Sequence, residues 1–266
     1  MVSPQRNPFA RQLPAELAER GISGQGLKWI AIGAMFIDHI GAMILEPWLR
    51  RQGVRFYGGF QLNEAARAAM GPFLNAYYLD LVLRLIGRLA FPIFCFLIIE
   101  GFRHTSNARR YALRLAVFAL ISELPFNLAL RGRLWAPRYQ NVFFTLLLGL
   151  LLIMALDRFG LNWRSLVAAI LCLGAARHGR TDYGAFGVAL IAVLYLLRRR
   201  RVLRSLGLAA MVAWEITAPL AAVPVFWYDG RRDSGRQAAP RWFFYVFYPA
   251  HLLLFALLAR LLGAWG

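Results

Sequence analysis

Along the chain, apolar stretches of about the length that crosses a bilayer alternate with short polar connections rich in arginine. Eight such runs occupy 27–45, 79–102, 111–130, 142–156, 166–176, 183–197, 203–227 and 242–262, the fifth being short. The one long connection, 46–78, contains Tyr57, Gly58 and Gly59, which read as a turn, and a 62–70 stretch suited to an interfacial helix. No connection is large enough for a soluble domain. The pattern predicts an all-α fold, a polytopic integral membrane helical bundle of about eight transmembrane helices over 27–266. An N-terminal extension, 1–26, precedes it and is read as cytoplasmic and flexible.

Composition agrees. Of 266 residues, 59% are hydrophobic and 17% charged, whereas ordinary soluble domains carry about 25% charged residues. Basic residues outnumber acidic ones 31 to 13, giving a net charge of +18. With so little solvated surface, this excess is not the basic face that nucleic acid requires, so the expected partner is the lipid bilayer and no nucleic acid. All the basic residues except Lys28 are arginine, which reads as the mark of a genome rich in G and C. Cys95 and Cys172 lie in separate apolar runs and offer neither a disulfide framework nor a thiolate metal site. Arg11, Glu16, Glu19 and Arg20 interrupt any signal-peptide core, so the first span is expected to be retained. With eight spans, one set of alternate loops holds 16 basic residues and the other 13, which favours both termini inside.

A charged side chain at mid-bilayer costs roughly 2.5–3.5 kcal/mol on insertion scales, so each one retained there marks a candidate site. The first run carries Asp38 and His39. Ala31, Ala34, Asp38, Gly41 and Ala42 recur at spacings of three and four, a small-residue stripe that lets another helix approach and turns Asp38 into the bundle. His39 falls on the neighbouring stripe with Ile32, Phe36, Met43 and Glu46. It reads either as a satisfied buried histidine or, with a carboxylate nearby, as a base close to neutral pKa. Contact between the two side chains is not guaranteed, because successive helix residues do not face each other.

The second run holds Arg84 and Arg88 one turn apart, followed by Phe91-Pro92, where a kink is expected to free a carbonyl. Two guanidinium groups on one face suit a phosphate or pyrophosphate, or reach lipid phosphates by snorkelling. Glu123, next to Pro125, reads as an acceptor-binding carboxylate or the partner of an arginine, in a cluster that Pro125 breaks. Asn141 and Thr145 can hydrogen-bond across helices. Glu215, isolated in its run, calls for an arginine partner. The last run carries Tyr245, Tyr248, Pro249 and His251, while His104 and His178 are ordinary loop residues. No Cys-x-x-Cys or His-Glu-x-x-His motif occurs, nor a serine between glycines facing a histidine, and no metal is expected.

These segments resemble the TraX family, named for the conjugation protein that acetylates the N-terminus of F-type pilin. The resemblance rests on Leu27-Lys28 with Asp38-His39 and Gly41; Gly87-Arg88 through Phe91-Pro92 to Glu100-Gly101; and Ser122-Glu123 with Pro125-Phe126. It continues in Asn141 with Phe143-Phe144-Thr145 and Gly149; Asp182-Tyr183-Gly184 with Gly187; Tyr228-Asp229-Gly230-Arg231; and Phe244-Tyr245, Tyr248-Pro249 and His251. Asn127, Asp229 and a long 232–240 loop depart from the family pattern and leave the acceptor open. The family is in turn similar to membrane acyltransferases that carry acetyl groups from cytoplasmic acetyl-CoA to acceptors on the far side.

The resemblance implies an acetyl-CoA-dependent acetyltransferase of the bacterial inner membrane. His39 would be its base and Asp38 the electrostatic partner. Arg84 and Arg88 would hold the coenzyme, while Glu123, His251, Tyr248 and Asn141 line the substrate cavity. The acceptor would be a pilin amine, an envelope glycan or a lipid. The alternative is a transporter or flippase that binds a polar solute through Asp38, Arg88 and Glu123. A non-catalytic assembly factor is a third reading.

Overall fold

The computed structural model describes residues 21–56, 60, 62–136, 138–231 and 240–263, and among them it is helical without a strand. In chain order the helices are α1 (Gly24–Ile40), α2 (Glu46–Arg51), α3 (Glu64–Met70), α4 (Leu74–Gly87), α5 (Ala90–His104) and α6 (Ala108–Arg131). They continue as α7 (Val142–Phe159), α8 (Trp163–His178), α9 (Gly184–Leu196), α10 (Arg201–Met211), α11 (Ala222–Phe226) and α12 (Arg241–Leu261). Five helical stretches, Gly24–Arg51, Glu64–His104, Ala108–Arg131, Val142–Phe159 and Trp242–Leu261, are long and apolar enough to cross a membrane. Large apolar side chains such as Leu120, Ile170 and Leu257 face outward, as lipid contact requires, around a packed core. The chain is therefore a polytopic helical membrane protein. The 62–70 stretch carries the helix α3, whereas Tyr57, Gly58 and Gly59 lie outside the described residues.

Ring and side-chain contacts fix the directions of the helices. Asp38 meets Arg84, and a Cβ on Gly41 would meet Asp80, so α1 and α4 run antiparallel. On α7 and α9, Gly149 lies against Ile191 and Asp157 accepts from Tyr195, so that pair is parallel with α8 returning between them. Trp29 packs on Phe243 and Phe244, and Phe36 on Phe247 and Phe255, so the first and last helices run in the same direction. We call the end of the bundle where α1 begins proximal and the other end distal.

Three expectations are corrected. The seventh run, 203–227, is not a span. α10 descends from the proximal end to Glu215, beside Arg88, and a 3-10 turn (Ala218–Ala221) and α11 bring the chain back. There Val225 accepts from Arg204, and the Asp229 amide donates to the Ile22 carbonyl. This segment is a re-entrant hairpin that enters and leaves on the proximal side. Consequently the described ends, Gly21 and Gly263, lie at opposite ends of the bundle, Gly263 beside Arg51.

The second correction concerns where Pro92 acts: it lies in the first turn of α5, and its ring would press on the carbonyl four residues back, that of Arg88. The helix is interrupted one turn earlier, at Arg88–Leu89. The Leu89 amide turns to Ile86, and the carbonyl of Leu85 is left for the Thr217 hydroxyl, which donates to it at 2.6 Å. The freed carbonyl and its side-chain partner are both present, one turn away from the expected place. Third, Pro125 does not break its cluster, because α6 continues through it to Arg131.

Candidate active site

His39 sits on the last turn of α1, where Ser23 caps the start and a π turn, Gly41–Leu45, follows the end. Pro47 accounts for that widening, since its ring would press on the Met43 carbonyl of a regular helix. Such π turns recur at functional sites. The His39 ring stacks on that of His251 from α12, 4.9 Å between centroids and 6° from parallel. Its Nδ1 lies 2.6 Å from His251 Nε2, and His251 Nδ1 lies 2.8 Å from the carbonyl of Phe247. A carbonyl only accepts, so the neutral pair has one arrangement: His251 donates from Nδ1 to Phe247, and its Nε2 accepts from His39 Nδ1–H. The remaining nitrogen, His39 Nε2, keeps its lone pair. His39 is half-buried and His251 buried, with Phe36 and Phe255 walling the pair.

Asp38 is not the partner of His39. Its carboxylate turns the other way and takes a 2.6 Å hydrogen bond from Arg84, as expected for successive helix residues that point apart. The small-residue stripe makes this approach possible. A Cβ on Gly87 would overlap the Asp38 side chain, and one on Gly41 would fall 2.9 Å from Asp80 Oδ1 and 3.1 Å from Arg84 Cδ. Arg88, in the break between α4 and α5, pairs with Glu215 at 3.3 Å, so the expected arginine partner of Glu215 is identified. The Arg88 side chain is 38% exposed.

Glu123 has amides for partners rather than an arginine. Asn141 donates to it at 2.7 Å and Asn127 at 3.2 Å, while Asn141 also donates to the Ala119 carbonyl and caps α7 through the Phe143 amide. Tyr248, buried beside His251, is within electrostatic reach of Glu123 and Asp182 and so links this group to the histidine pair. The eight residues singled out in the sequence thus fall into three groups inside the bundle, the His39–His251 pair, the Asp38–Arg84 and Arg88–Glu215 ion pairs, and the Glu123–Asn141 cluster, with Tyr248 between the first and the last.

Residues without an assigned role in the sequence lie close to these groups. Asp182 lies in the turn before α9, within electrostatic reach of Asp38 and Arg84, and accepts from the Tyr139 hydroxyl at 2.7 Å. Burial pushes its carboxyl up to about 6, against the lowering effect of that hydrogen bond. Thr145 anchors the same turn through the Asp182 carbonyl and the Thr181 hydroxyl. Tyr183 adopts the left-handed conformation, φ 62°, and lies flat on Phe91 with centroids 3.5 Å apart. Non-glycine residues held in this conformation cluster at functional sites, which makes the turn a candidate part of the site. In sequence, Asp182-Tyr183-Gly184 looks like an ordinary loop; its only signal was membership of the quoted motifs.

The TraX protein family model matches residues 23–259. The chain is also 29% identical over 200 residues, 65% of its length and 80% of the relative's, to a protein of Dichelobacter nodosus described as probable fimbrial assembly protein FimC, serogroup H1. No solved structure matches it.

Proposed function

Because this chain belongs to the TraX family, we propose that it is a membrane acetyltransferase moving an acetyl group from acetyl-CoA to an amine or hydroxyl on an envelope acceptor. His39 is the general base. The observation that carries the reading is the hydrogen-bond chain from His39 through His251 to the Phe247 carbonyl, which leaves His39 Nε2 as the basic atom. Acetyl-CoA supplies an activated thioester carbonyl. The acceptor attacks that carbonyl and gives its proton to His39 Nε2; the carbon–sulfur bond breaks, and the sulfur leaves as the thiol with the proton from His39. Protonated His39 is held by His251, whose Nε2 accepts a charge-assisted bond.

The two arginines divide their work in this reading. Arg84 is held by Asp38 and keeps α1 against α4. Arg88, longer in its ion pair and more exposed, is the guanidinium able to exchange Glu215 for a coenzyme phosphate. Glu123, Asn141, Tyr248 and His251 face the acceptor. Since Arg231 and Arg241 share the proximal end with Arg103, Arg109, Arg110 and Arg198–Arg201, we assign that end to the cytoplasm. The coenzyme then enters proximally and the acceptor distally. The fimbrial description of the relative favours a pilus subunit, with an envelope glycan or lipid as the other acceptor classes.

The test uses membranes with wild type or His39→Ala at matched expression, supplied with acetyl-labelled coenzyme A, scoring label in protein, glycan and lipid fractions. Transfer by the wild type alone is the expected result, and the labelled fraction identifies the acceptor. No transfer by either form overturns the reading in favour of a transporter, which the re-entrant hairpin meeting a helix break at Arg88 also suits.

A further inference from the structure

At the distal end, α7 and α8 enclose an open groove of about 590 Å³ lined by Arg138, Gln140, Phe144, Leu147, Leu148, Ala175, His178, Gly179, Arg180 and Thr181. Its upper rim is basic and its lower wall apolar, and no acidic side chain lines it. Among the described residues, Arg138, His178 and Arg180 have no ion pair or side-chain hydrogen bond. Arg180 is set there by a constrained backbone. Its φ is 48°, unfavourable for a residue with a Cβ, and the turn is fastened by the Gln140 amide to the Arg180 carbonyl and the Asp182 amide to the Gln140 carbonyl. Asp182, the nearest carboxylate in sequence, turns away to Tyr139.

We propose that this groove binds an anionic phosphate-headed lipid, the phosphate between Arg138 and Arg180 and an acyl chain along Phe144, Leu147, Leu148 and Ala175. Guanidinium groups grip phosphate oxygens bidentately. A basic rim above an apolar wall between membrane helices matches the two ends of an anionic lipid, charge at the head and hydrocarbon at the tail. The apolar wall distinguishes this groove from a plain anion site, because a free phosphate has nothing to place there. The assignment is independent of the acetyltransferase reading.

The experiment is native mass spectrometry of the full chain in detergent, titrated with phosphatidylglycerol, with phosphatidylcholine, or with inorganic phosphate as competitor. Phosphatidylglycerol is expected to be retained at least about tenfold better than phosphatidylcholine, with no displacement by millimolar phosphate. The Arg138→Gln/Arg180→Asn variant reduces it to the phosphatidylcholine level, whereas Arg50→Gln/Arg51→Gln, at the same end, leaves it unchanged. Equal retention of the two lipids, or full retention by the groove variant, overturns the proposal. Displacement by phosphate overturns the lipid assignment in favour of a free phosphate. Should the variant not fold, a photoreactive phosphatidylglycerol on the wild-type chain decides the matter. Labelling within 144–148 and at 175 supports the groove, and labelling elsewhere refutes it.

Discussion

His39, on the first helix, donates to His251, on the last, at 2.6 Å, and a carbonyl on the far side of His251 fixes which nitrogens carry protons. Two neutral histidines in contact normally have a choice of tautomers; here Phe247 removes it. His251→Ala is therefore expected to lower acetyl transfer by about 100-fold, within the range of general-base contributions. His251→Gln, whose side-chain carbonyl can still accept from His39 Nδ1–H, recovers part of it. Nitrogen NMR on labelled histidine provides a readout besides activity: the wild type should show His39 protonated at Nδ1, and His251→Ala a mixture.

The contact of α1 with α4 depends on the missing side chain of Gly87. Gly87→Ala pushes a methyl into the Asp38 side chain and is expected to cost about 1–3 kcal/mol, the usual penalty of overpacking. Gly33→Ala, inside α1 with open space around the added methyl, serves as the control and should leave the melting temperature unchanged or slightly raised. Equal melting of the two variants would contradict this account of the helix contact.

Breaking the Asp38–Arg84 pair from one side should hurt more than removing both partners. A buried charge left alone costs about 3–5 kcal/mol, and these side chains remain 20% and 28% exposed, so a loss near the lower figure is expected for Asp38→Ala. In a double-mutant cycle with Arg84→Ala, the double variant is expected to be more stable than additivity allows, measured by thermal unfolding in one detergent.

Asp182 gives a pH dependence of stability with a definite sign. Burial raises its folded-state pKa to about 6, above the ordinary carboxylate value of 3.8, so the folded chain holds the proton more tightly. The stabilisation is complete below about pH 4 and is lost as pH rises through 6, amounting to roughly 3 kcal/mol at the limit. Asp182→Asn keeps an oxygen for the Tyr139 hydroxyl and has nothing to ionise. It should match the parent at pH 4 and unfold at higher temperature than the parent at pH 8.

The re-entrant hairpin predicts a labelling pattern. In a Cys95→Ser/Cys172→Ser background, cysteines introduced for Ser106 and Arg231 should react with an impermeant reagent from the same side, and one introduced for Arg133 from the other. Opposite sidedness of Ser106 and Arg231 would restore a full crossing between them.

Much of this arrangement was legible because burial in lipid leaves few choices. The spacing of Ala31, Ala34, Asp38 and Gly41 identified the contact face of α1, and isolated Glu215 required a cation. Adjacency misled where it stood in for geometry: Asp38 and His39 are neighbours in sequence and face different helices. The 203–227 run misled for another reason. Apolar composition does not distinguish a chain that crosses from one that turns back, and the return is recorded in contacts such as Ile22–Asp229 and Arg204–Val225. Glu123 looked like the partner of an arginine because charge attracts attention, whereas two asparagine amides satisfy it. Asp182 and Tyr139 lay in segments that read as surface loops.

The separation of His39 and His251 in the polypeptide has a consequence for biosynthesis. The ribosome delivers the first ring early and the second after more than two hundred further residues, so the paired unit does not exist in any nascent intermediate. A chain arrested or clipped before Arg241 would insert most of its helices and still lack the residue that sets the proton on His39. On the proposed mechanism, a truncated chain of this kind is expected to hold no proton-ordered histidine pair.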